Sequence, residues 1–95
     1  MRIIRHTRRF RKDYDRLKKS GRRNMEKLDG IISQLIRGER LDILRRDHAL
    51  QGEWKNFRDC HVEGDWVLIY QITENISGDE MVTFHATGSH ADLFQ

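Results

Sequence analysis

The chain has 95 residues, one cysteine, no proline and a formal net charge of +3. This length allows a single domain, residues 1–95, near the lower limit for a fold without disulfide or metal cross-links. One cysteine excludes an intramolecular disulfide framework and favours a reducing compartment. No segment has the apolar run of a signal peptide or a membrane span, so we expect a cytoplasmic protein without membrane contacts.

The charge is distributed unevenly along the chain. Residues 1–23 contain 11 of the 18 lysines and arginines but only two acidic residues, Asp13 and Asp15. A basic block on a small domain is typical of a surface that binds a phosphate backbone or an acidic protein. It is equally compatible with a solvated helix face.

The first part of the chain predicts a strand and two helices. Residues 2–5 are short and β-branched, which favours a strand. Thr7 is suited to cap a helix that ends at Gly21, and a second helix ends at Gly38. The short connection between the helices predicts an antiparallel pair. Their apolar stripes, which we interpret as core, consist of Phe10, Tyr14, Leu17, Met25, Leu28, Ile31, Ile32, Leu35 and Ile36.

The second part predicts a long loop and three strands. Residues 39–56 are polar and irregular, and a loop of this length in a small domain is usually functional or disordered. The last strand alternates, with Val82, Phe84 and Ala86 expected on one side. The predicted strands cover residues 57–62, 65–73 and 80–87, with a turn at 75–79. The element order β-α-α-β-β-β is that of an α+β protein.

Three histidines in the second part, His48, His61 and His90, suggest chemistry. The ordinary pKa of histidine lets it accept and donate a proton near neutral pH. With an acidic residue and aromatic residues close by, on a basic chain, they suggest acid–base chemistry on a polyanion. We interpret His6 and His85 as surface or hydrogen-bonded residues.

Two other classes of function stay open from the residues alone. Histidines and a carboxylate are also zinc ligands, although the spacing lacks a close histidine pair such as i, i+4. A non-catalytic binding module is the second alternative, in which the basic helix holds an acidic partner or DNA and the histidines are structural. No nucleotide-binding fingerprint occurs in the chain.

Three segments carry a resemblance to a known family. They read DHALQGEWK at residues 47–55, FRDCHVEGDWVLIY at 57–70 and TGSHADLF at 87–94. In this order and at these separations, they resemble the YafQ-type toxins of the RelE superfamily. The resemblance implies a small microbial RNase-like fold, in which two helices pack on a twisted, mainly antiparallel sheet.

The resemblance also implies a toxin of a type II toxin–antitoxin system. Such toxins enter the ribosomal A site, cleave the mRNA there and are neutralised by a cognate antitoxin. We therefore expect mRNA, the ribosome and an antitoxin as partners, with 16S rRNA contacts through the basic N-terminal helix. Operator DNA is expected only through the antitoxin complex, and no cofactor or metal is expected.

The resemblance assigns residues to the site. The positions that match the family's catalytic set are His48, His61, Asp65 and His90. The positions that match residues near the RNA are Trp66 and Phe94. Two cations flank the site, Lys55 and Arg58, and they are equally compatible with phosphate contacts and with an exposed pair on a strand edge.

Metal-free RNA cleavage suggests a role for each catalytic residue. The reaction needs a base for the ribose 2′-OH, an acid for the leaving 5′ oxygen and positive charge near the phosphate. We assign His48 as base and His90 as acid, with the reverse assignment left open. Asp65 would orient an imidazole or raise its pKa, and His61 would contact the phosphate. A two-residue turn at 63–64 would place His61 and Asp65 on opposite faces, so they converge only if Asp65 precedes the strand or the turn is wider.

The neighbouring aromatic residues and the cysteine also have a structural interpretation. We expect Trp54 to lie in the core. For Trp66 and Phe94, packing in the core and contact with RNA are equally expected. Cys60 alternates with His61 along the strand, so we expect it to be buried rather than a nucleophile.

One position departs from the family's pattern. Many members have an arginine directly before Thr-Gly that steadies the scissile phosphate, and this chain has Ala86 there. Three explanations stay open: a neighbouring cation replaces it, the subfamily does not need it, or the chain is inactivated. The last leads to an alternative function, a weak or inactive member that acts as an antitoxin-binding, transcriptional co-regulatory module.

Overall fold

The computed structural model describes residues 1–94, which form a five-stranded mixed sheet and three helices. The strand order is β1-β5-β4-β3-β2, with β1 parallel to β5 and every other pair antiparallel. No helix in this part of the chain is long and apolar enough to cross a membrane. The elements are β1 (Ile3–His6), α1 (Arg8–Ser20), α2 (Met25–Ile36), β2 (His48–Ala49), β3 (Arg58–Glu63), β4 (Trp66–Glu74), β5 (Glu80–Ser89) and α3 (His90–Leu93).

Both predicted helices are confirmed, and their ends follow local capping chemistry. Thr7 Oγ1 accepts a hydrogen bond from Phe10 N at 3.0 Å at the start of α1. Gly21 ends that helix in the left-handed conformation, with φ 67°. The side chain of Asn24 caps α2. The predicted α+β order is therefore confirmed, with β2 and α3 as additions.

The two faces of the sheet pack against different parts of the chain. The helix face, defined by the strand residues that contact α1 and α2, carries the larger core. The opposite face, called the open face here, has a smaller cluster covered by residues of the 39–57 segment and by α3. The helix-face cluster includes Phe10, Leu28, Ile31, Leu35, Cys60, Val62, Trp66, Leu68, Tyr70, Val82 and Phe84. The open-face cluster includes Val67, Ile69, Ala86 and Leu93, with Leu50, Trp54 and Phe57 packed against it.

A β-bulge in β5 moves Ala86 from one face to the other. Ile69 pairs with Ala86 and Tyr70 pairs with Phe84, so His85 is an extra residue in β5. Ala86 therefore lies on the open face, and the expectation that Val82, Phe84 and Ala86 share one side is wrong at Ala86. The physical reason is that one inserted residue reverses the two-residue period of a strand.

A second irregularity lies at the β3–β4 connection. His61 pairs with Val67 while Glu63 pairs with Trp66, so the register shifts between them. The turn contains Gly64, with φ 56°, and Asp65. Asp65 thus precedes β4. This is one of the two arrangements in which we expected Asp65 and His61 to converge on the same side.

Candidate active site

Three histidines and a buried aspartate gather at one end of the open face. Asp59 lies on β3, and the register of β2 and β3 places His48 directly opposite it. His61 follows two residues later on the same side of β3. The ring of His90, at the start of α3, lies 5.3 Å from the ring of His61, measured between centroids. The pairing of β2 with β3 is what brings His48 to the other two histidines.

The hydrogen bond of His48 determines which ring nitrogen is free. Its Nδ1 lies 2.7 Å from the carbonyl oxygen of Arg46 and 3.1 Å from Asp59 Oδ1. A carbonyl only accepts hydrogen bonds, so we assign the proton to Nδ1. In the neutral ring, Nε2 then has a free lone pair. The side chain is 53% exposed, so a substrate can reach it.

Asp59 is the site residue that sequence reasoning missed. Its side chain is 2% exposed, and within residues 1–94 its buried Oδ1 accepts no well-directed hydrogen bond. Burial raises the pKa of Asp59, while positive charge on His48, His61 and His90 acts in the opposite direction. The available signal was its spacing, because a residue two before His61 on a strand shares its face.

Backbone and capping contacts hold His90 at the first position of α3. His90 N donates to the carbonyl oxygen of Asp65 at 3.2 Å. Ser89 Oγ accepts from Asp92 N at 3.1 Å, and Ser89 N donates to Asp92 Oδ2 at 3.4 Å. This reciprocal pair is a capping box, and its Ser-x-x-Asp pattern would have predicted α3.

The structure does not place the carboxylate of Asp65 against an imidazole. The side chain is 67% exposed in the turn, and its Oδ1 lies 3.7 Å from Arg23 Nη2. Among the residues described, no ion pair or hydrogen bond joins this carboxylate to a histidine. Asp65 contacts the site through its backbone carbonyl on His90, and Asp59 is the carboxylate beside His48.

Trp66 lies in the core, which was one of the two alternatives for it, and its ring is not accessible for contact with RNA. It is fully buried on the helix face, and its Nε1 donates to Thr87 Oγ1 at 2.9 Å. The guanidinium of Arg23 lies 5.4 Å from its ring centroid. A base cannot stack on a ring whose faces are already covered. The register shift at the β3–β4 connection starts β4 with this residue turned inward.

Phe94 lies beside His90 in the structure. Its ring is 36% exposed and lies 5.7 Å from His90 and 5.9 Å from Trp54, between centroids. Trp54 is partly buried and makes edge contacts with Phe57 and His85. Burial lowers the pKa of His85, and the charge of Arg9 acts in the same direction. His85 is thus part of the aromatic packing of the open face.

The two flanking cations differ in their surroundings. Arg58 Nε donates to Asp47 Oδ1 at 3.0 Å, and the hydroxyl of Tyr70 donates to the same oxygen at 2.6 Å. Tyr70 lies on the helix face, so Arg58 points away from the histidines, as alternation with Asp59 requires. The expected phosphate contact of Arg58 is therefore not supported. Lys55 is exposed directly after the short 3-10 helix Gly52–Trp54.

Cys60 is fully buried on the helix face, as alternation with His61 predicted. Burial is the main cause that raises the pKa of its thiol. A thiol in this environment is neither ionised at neutral pH nor reachable by a substrate. Within residues 1–94, no group of three or more His, Cys, Asp or Glu side chains is arranged to hold a metal ion.

Comparison with known proteins connects this site to a family. Residues 2–95 match the family described as bacterial toxin of type II toxin-antitoxin system, YafQ. The mRNA interferase toxin YafQ of Escherichia coli strain K12 is 39% identical over 94 residues, which cover 98% of this chain and 96% of that protein.

Two solved structures agree over the full length. YafQ from E. coli strain BL21(DE3) is 36% identical with a TM-score of 0.87, and all of both chains is covered. YafQ in the E. coli DinJ–YafQ complex is 38% identical with a TM-score of 0.84, again with all of both chains covered. Sequence and fold agree from end to end, and the chain belongs to the YafQ family of bacterial toxins of type II toxin–antitoxin systems.

Proposed function

We propose that the chain is a ribosome-dependent mRNA endonuclease that works by histidine acid–base catalysis without a metal ion. The observation that carries this proposal is the hydrogen bond from His48 Nδ1 to the carbonyl oxygen of Arg46. It leaves Nε2 free to accept a proton, and the exposed side chain meets solvent at the open face. The E. coli relative is named an mRNA interferase, which supports RNA as the substrate class.

The reaction balances with the groups at the site. His48 Nε2 takes the proton of the ribose 2′-OH, and the 2′ oxygen forms a bond to the adjacent phosphorus. The bond from phosphorus to the 5′ oxygen breaks, and protonated His90 gives its proton to that oxygen. The products are a 2′,3′-cyclic phosphate and a 5′-hydroxyl. We assign to His61, whose ring centroid lies 5.3 Å from that of His90, the role of donating to the phosphate.

Asp59 supports this proton transfer electrostatically. When His48 accepts a proton, its ring becomes positive 3.1 Å from Asp59 Oδ1. A nearby negative charge in a buried environment stabilises the positive form of an imidazole. The sequence had suggested Asp65 as the carboxylate that acts on an imidazole. We assign to Asp59 the role of stabilising the imidazolium.

The surfaces away from the histidines fit the other partners of such a toxin. We propose that the exposed cations of α1, which include Arg8, Arg11, Lys12, Lys18 and Lys19, contact 16S rRNA. A cognate antitoxin is the protein partner, as DinJ is for YafQ in the E. coli complex. Operator DNA is then reached only through the toxin–antitoxin complex.

A programmed ribosome tests the proposed reaction. Single-turnover cleavage of mRNA in the A site is measured for the wild-type chain, His48→Gln and His90→Gln. Each variant is expected to lose about 10²–10⁴-fold in rate, because each removes one proton-transfer group. Free mRNA without ribosomes is expected to stay intact.

His6→Gln is the matched control, because His6 is an exposed histidine on β1, outside the cluster. It is expected to cleave at the wild-type rate. Cleavage by His48→Gln and His90→Gln at that rate would contradict the mechanism, and loss of wild-type cleavage in a chelator would favour a metal. A wild-type chain that does not cleave at all would favour the antitoxin-binding module.

A further inference from the structure

A pocket of about 430 Å³ lies next to His61, and its wall is rich in positive charge. Three cations line it, Lys27, Arg45 and Arg46, against one acidic residue, Glu63. A pocket with this charge balance attracts an anion. Because His61 forms part of the same wall, an anion bound there would be adjacent to the proposed catalytic histidines.

Two of the three cations already have partners. Lys27 Nζ lies 2.8 Å from Glu63 Oε1, and Arg45 Nη1 donates to the carbonyl oxygen of Val62 at 2.6 Å. Arg46 is exposed, and its guanidinium makes no ion pair or side-chain hydrogen bond to any residue from 1 to 94. Arg46 is therefore the cation that can bind a ligand without breaking an existing contact.

The backbone of Arg46 links the pocket to His48. Its φ of 49° places it in the left-handed region, which a non-glycine residue seldom adopts and which costs conformational energy. In this conformation, its N–H donates to Ile43 O at 3.1 Å, and its carbonyl oxygen accepts from His48 Nδ1 at 2.7 Å. One residue therefore orients the proposed base through its backbone, lines the pocket beside His61 and has a guanidinium without a partner in residues 1–94.

β5 contributes no charged side chain to the lining of this pocket. Ala86 is fully buried, across from Ile69. The charge that builds on the non-bridging phosphate oxygens during 2′-OH attack still needs a donor. A guanidinium suits this need, because it presents two parallel N–H groups to two oxygens and stays charged.

We propose that the guanidinium of Arg46 binds the non-bridging oxygens of the scissile phosphate, in the pocket that it shares with His61. This role rests on the proposed ribonuclease function. Arg46 transfers no proton and forms no covalent bond, and its positive charge stabilises the negative charge that develops as the 2′ oxygen attacks.

Three variants test the role of Arg46 on the programmed ribosome. Single-turnover rates at saturating ribosome and the half-saturating concentration are measured separately, together with the melting temperature. Arg46→Gln is expected to lower the saturating rate about 10²-fold, as the loss of one charge-stabilising donor does, and Arg46→Lys to recover part of it. Arg46→Gly is expected to raise the melting temperature, because glycine adopts a positive φ without strain, and still to lose the rate.

Arg40→Gln is the matched control, an exposed arginine of the same segment outside the pocket, and is expected to behave as wild type. An unchanged rate for Arg46→Gln, with His48→Gln inactive, would overturn the role of Arg46 and leave the ribonuclease function standing. A change confined to the half-saturating concentration would also overturn it, because Arg46 would then contribute only to ribosome binding. Absence of wild-type cleavage would overturn both proposals.

Discussion

Two aspartates, one on each side of the sheet, are buried but held in opposite ways. Asp13 of α1 accepts hydrogen bonds from Thr87 N and Arg16 Nη1, both at 3.1 Å, and lies 3.8 Å from Arg9 Nε. Asp59 has an Oδ1 that is buried without a well-directed donor in residues 1–94. A carboxylate with complete hydrogen bonds stabilises the fold, whereas one with incomplete bonds keeps its charge available for neighbouring groups.

The surroundings of the two carboxylates explain the difference. The bulge at His85 turns Thr87 towards the helix face, where Asp13 joins it to α1 and Trp66 donates to its hydroxyl. Asp59 lies among the imidazoles of His48, His61 and His90, whose positive charge opposes the rise in its pKa that burial causes. The same sheet therefore holds a hydrogen-bonded carboxylate on one face and a carboxylate surrounded by histidines on the other.

Among the substitutions that test the difference between the two aspartates, the one at Asp59 is expected to have the largest effect, and that effect is on activity. Asp59→Asn is expected to lower the single-turnover rate on programmed ribosomes about 10²-fold, because the imidazolium of His48 loses its stabilising charge. The free energy of unfolding is expected to stay equal or rise, since a buried and poorly bonded charge is removed. Asp79→Asn, in the exposed turn between β4 and β5, is the control. A variant that keeps full activity would show that Asp59 is structural.

At Asp13, a substitution is expected to lower stability and to leave activity unchanged. Asp13→Ala leaves the N–H of Thr87 buried without a partner and is expected to lower the free energy of unfolding by about 2–3 kcal/mol. Urea denaturation measures this, and the folded protein is expected to retain activity. Asp15→Ala on the exposed side of the same helix is the control, with little expected change. Equal stability of the two variants would mean that the contact with Thr87 contributes nothing.

The stability of the protein should depend on pH through Asp59. Burial raises its pKa in the folded state above 3.8, so the folded state binds this proton more tightly than the unfolded state. Its contribution to stability is therefore complete below the unfolded pKa and is lost as pH rises through the raised folded pKa. Urea denaturation of wild type and Asp59→Asn across this range should show the variant gaining relative stability as pH rises. A difference that does not change with pH would contradict this assignment.

The smallest effect is expected outside both regions, at Gly30 on α2. Gly30 is exposed, and a Cβ added there would meet nothing within 4 Å. Gly30→Ala is expected to stabilise the protein by about 0.5–1 kcal/mol, because alanine loses less conformational freedom in a helix. Thermal denaturation measures the gain, and activity should not change. A loss of stability would show that Gly30 has a packing role.

Much of the fold could be predicted because its signals are local. Thr7 and Gly21 mark the ends of α1 through contacts within a few residues, and the apolar spacing of both helices gives their buried faces. The strands of the second half follow from their composition within one or two residues of the observed ends. The family resemblance places His48, His61 and His90 in one site, and the structure brings these three together.

The predictions that failed depended on register. An extra residue at His85 reversed the side on which Ala86 lies, and the shift after His61 put Trp66 in the core. Asp59 was overlooked because nothing local shows that His48, eleven residues earlier, pairs with it. Such pairings are decided by the packing of whole strands, which a short segment does not encode.

The sequence by itself determined the two long helices, the end of α1 and the three long strands of the second half, because capping and apolar periodicity act over three to four residues. The candidate site histidines came from the family resemblance rather than from these local signals. Only the tertiary structure decided which carboxylate lies beside His48 and which nitrogen of its ring is free. It also placed Arg46 at the pocket wall with His61. The neighbours of His48 depend on the pairing of β2 with β3, and the facing of Trp66 and Ala86 depends on the two register shifts. The strand pairing and the register shifts result from packing between segments that are distant in the chain.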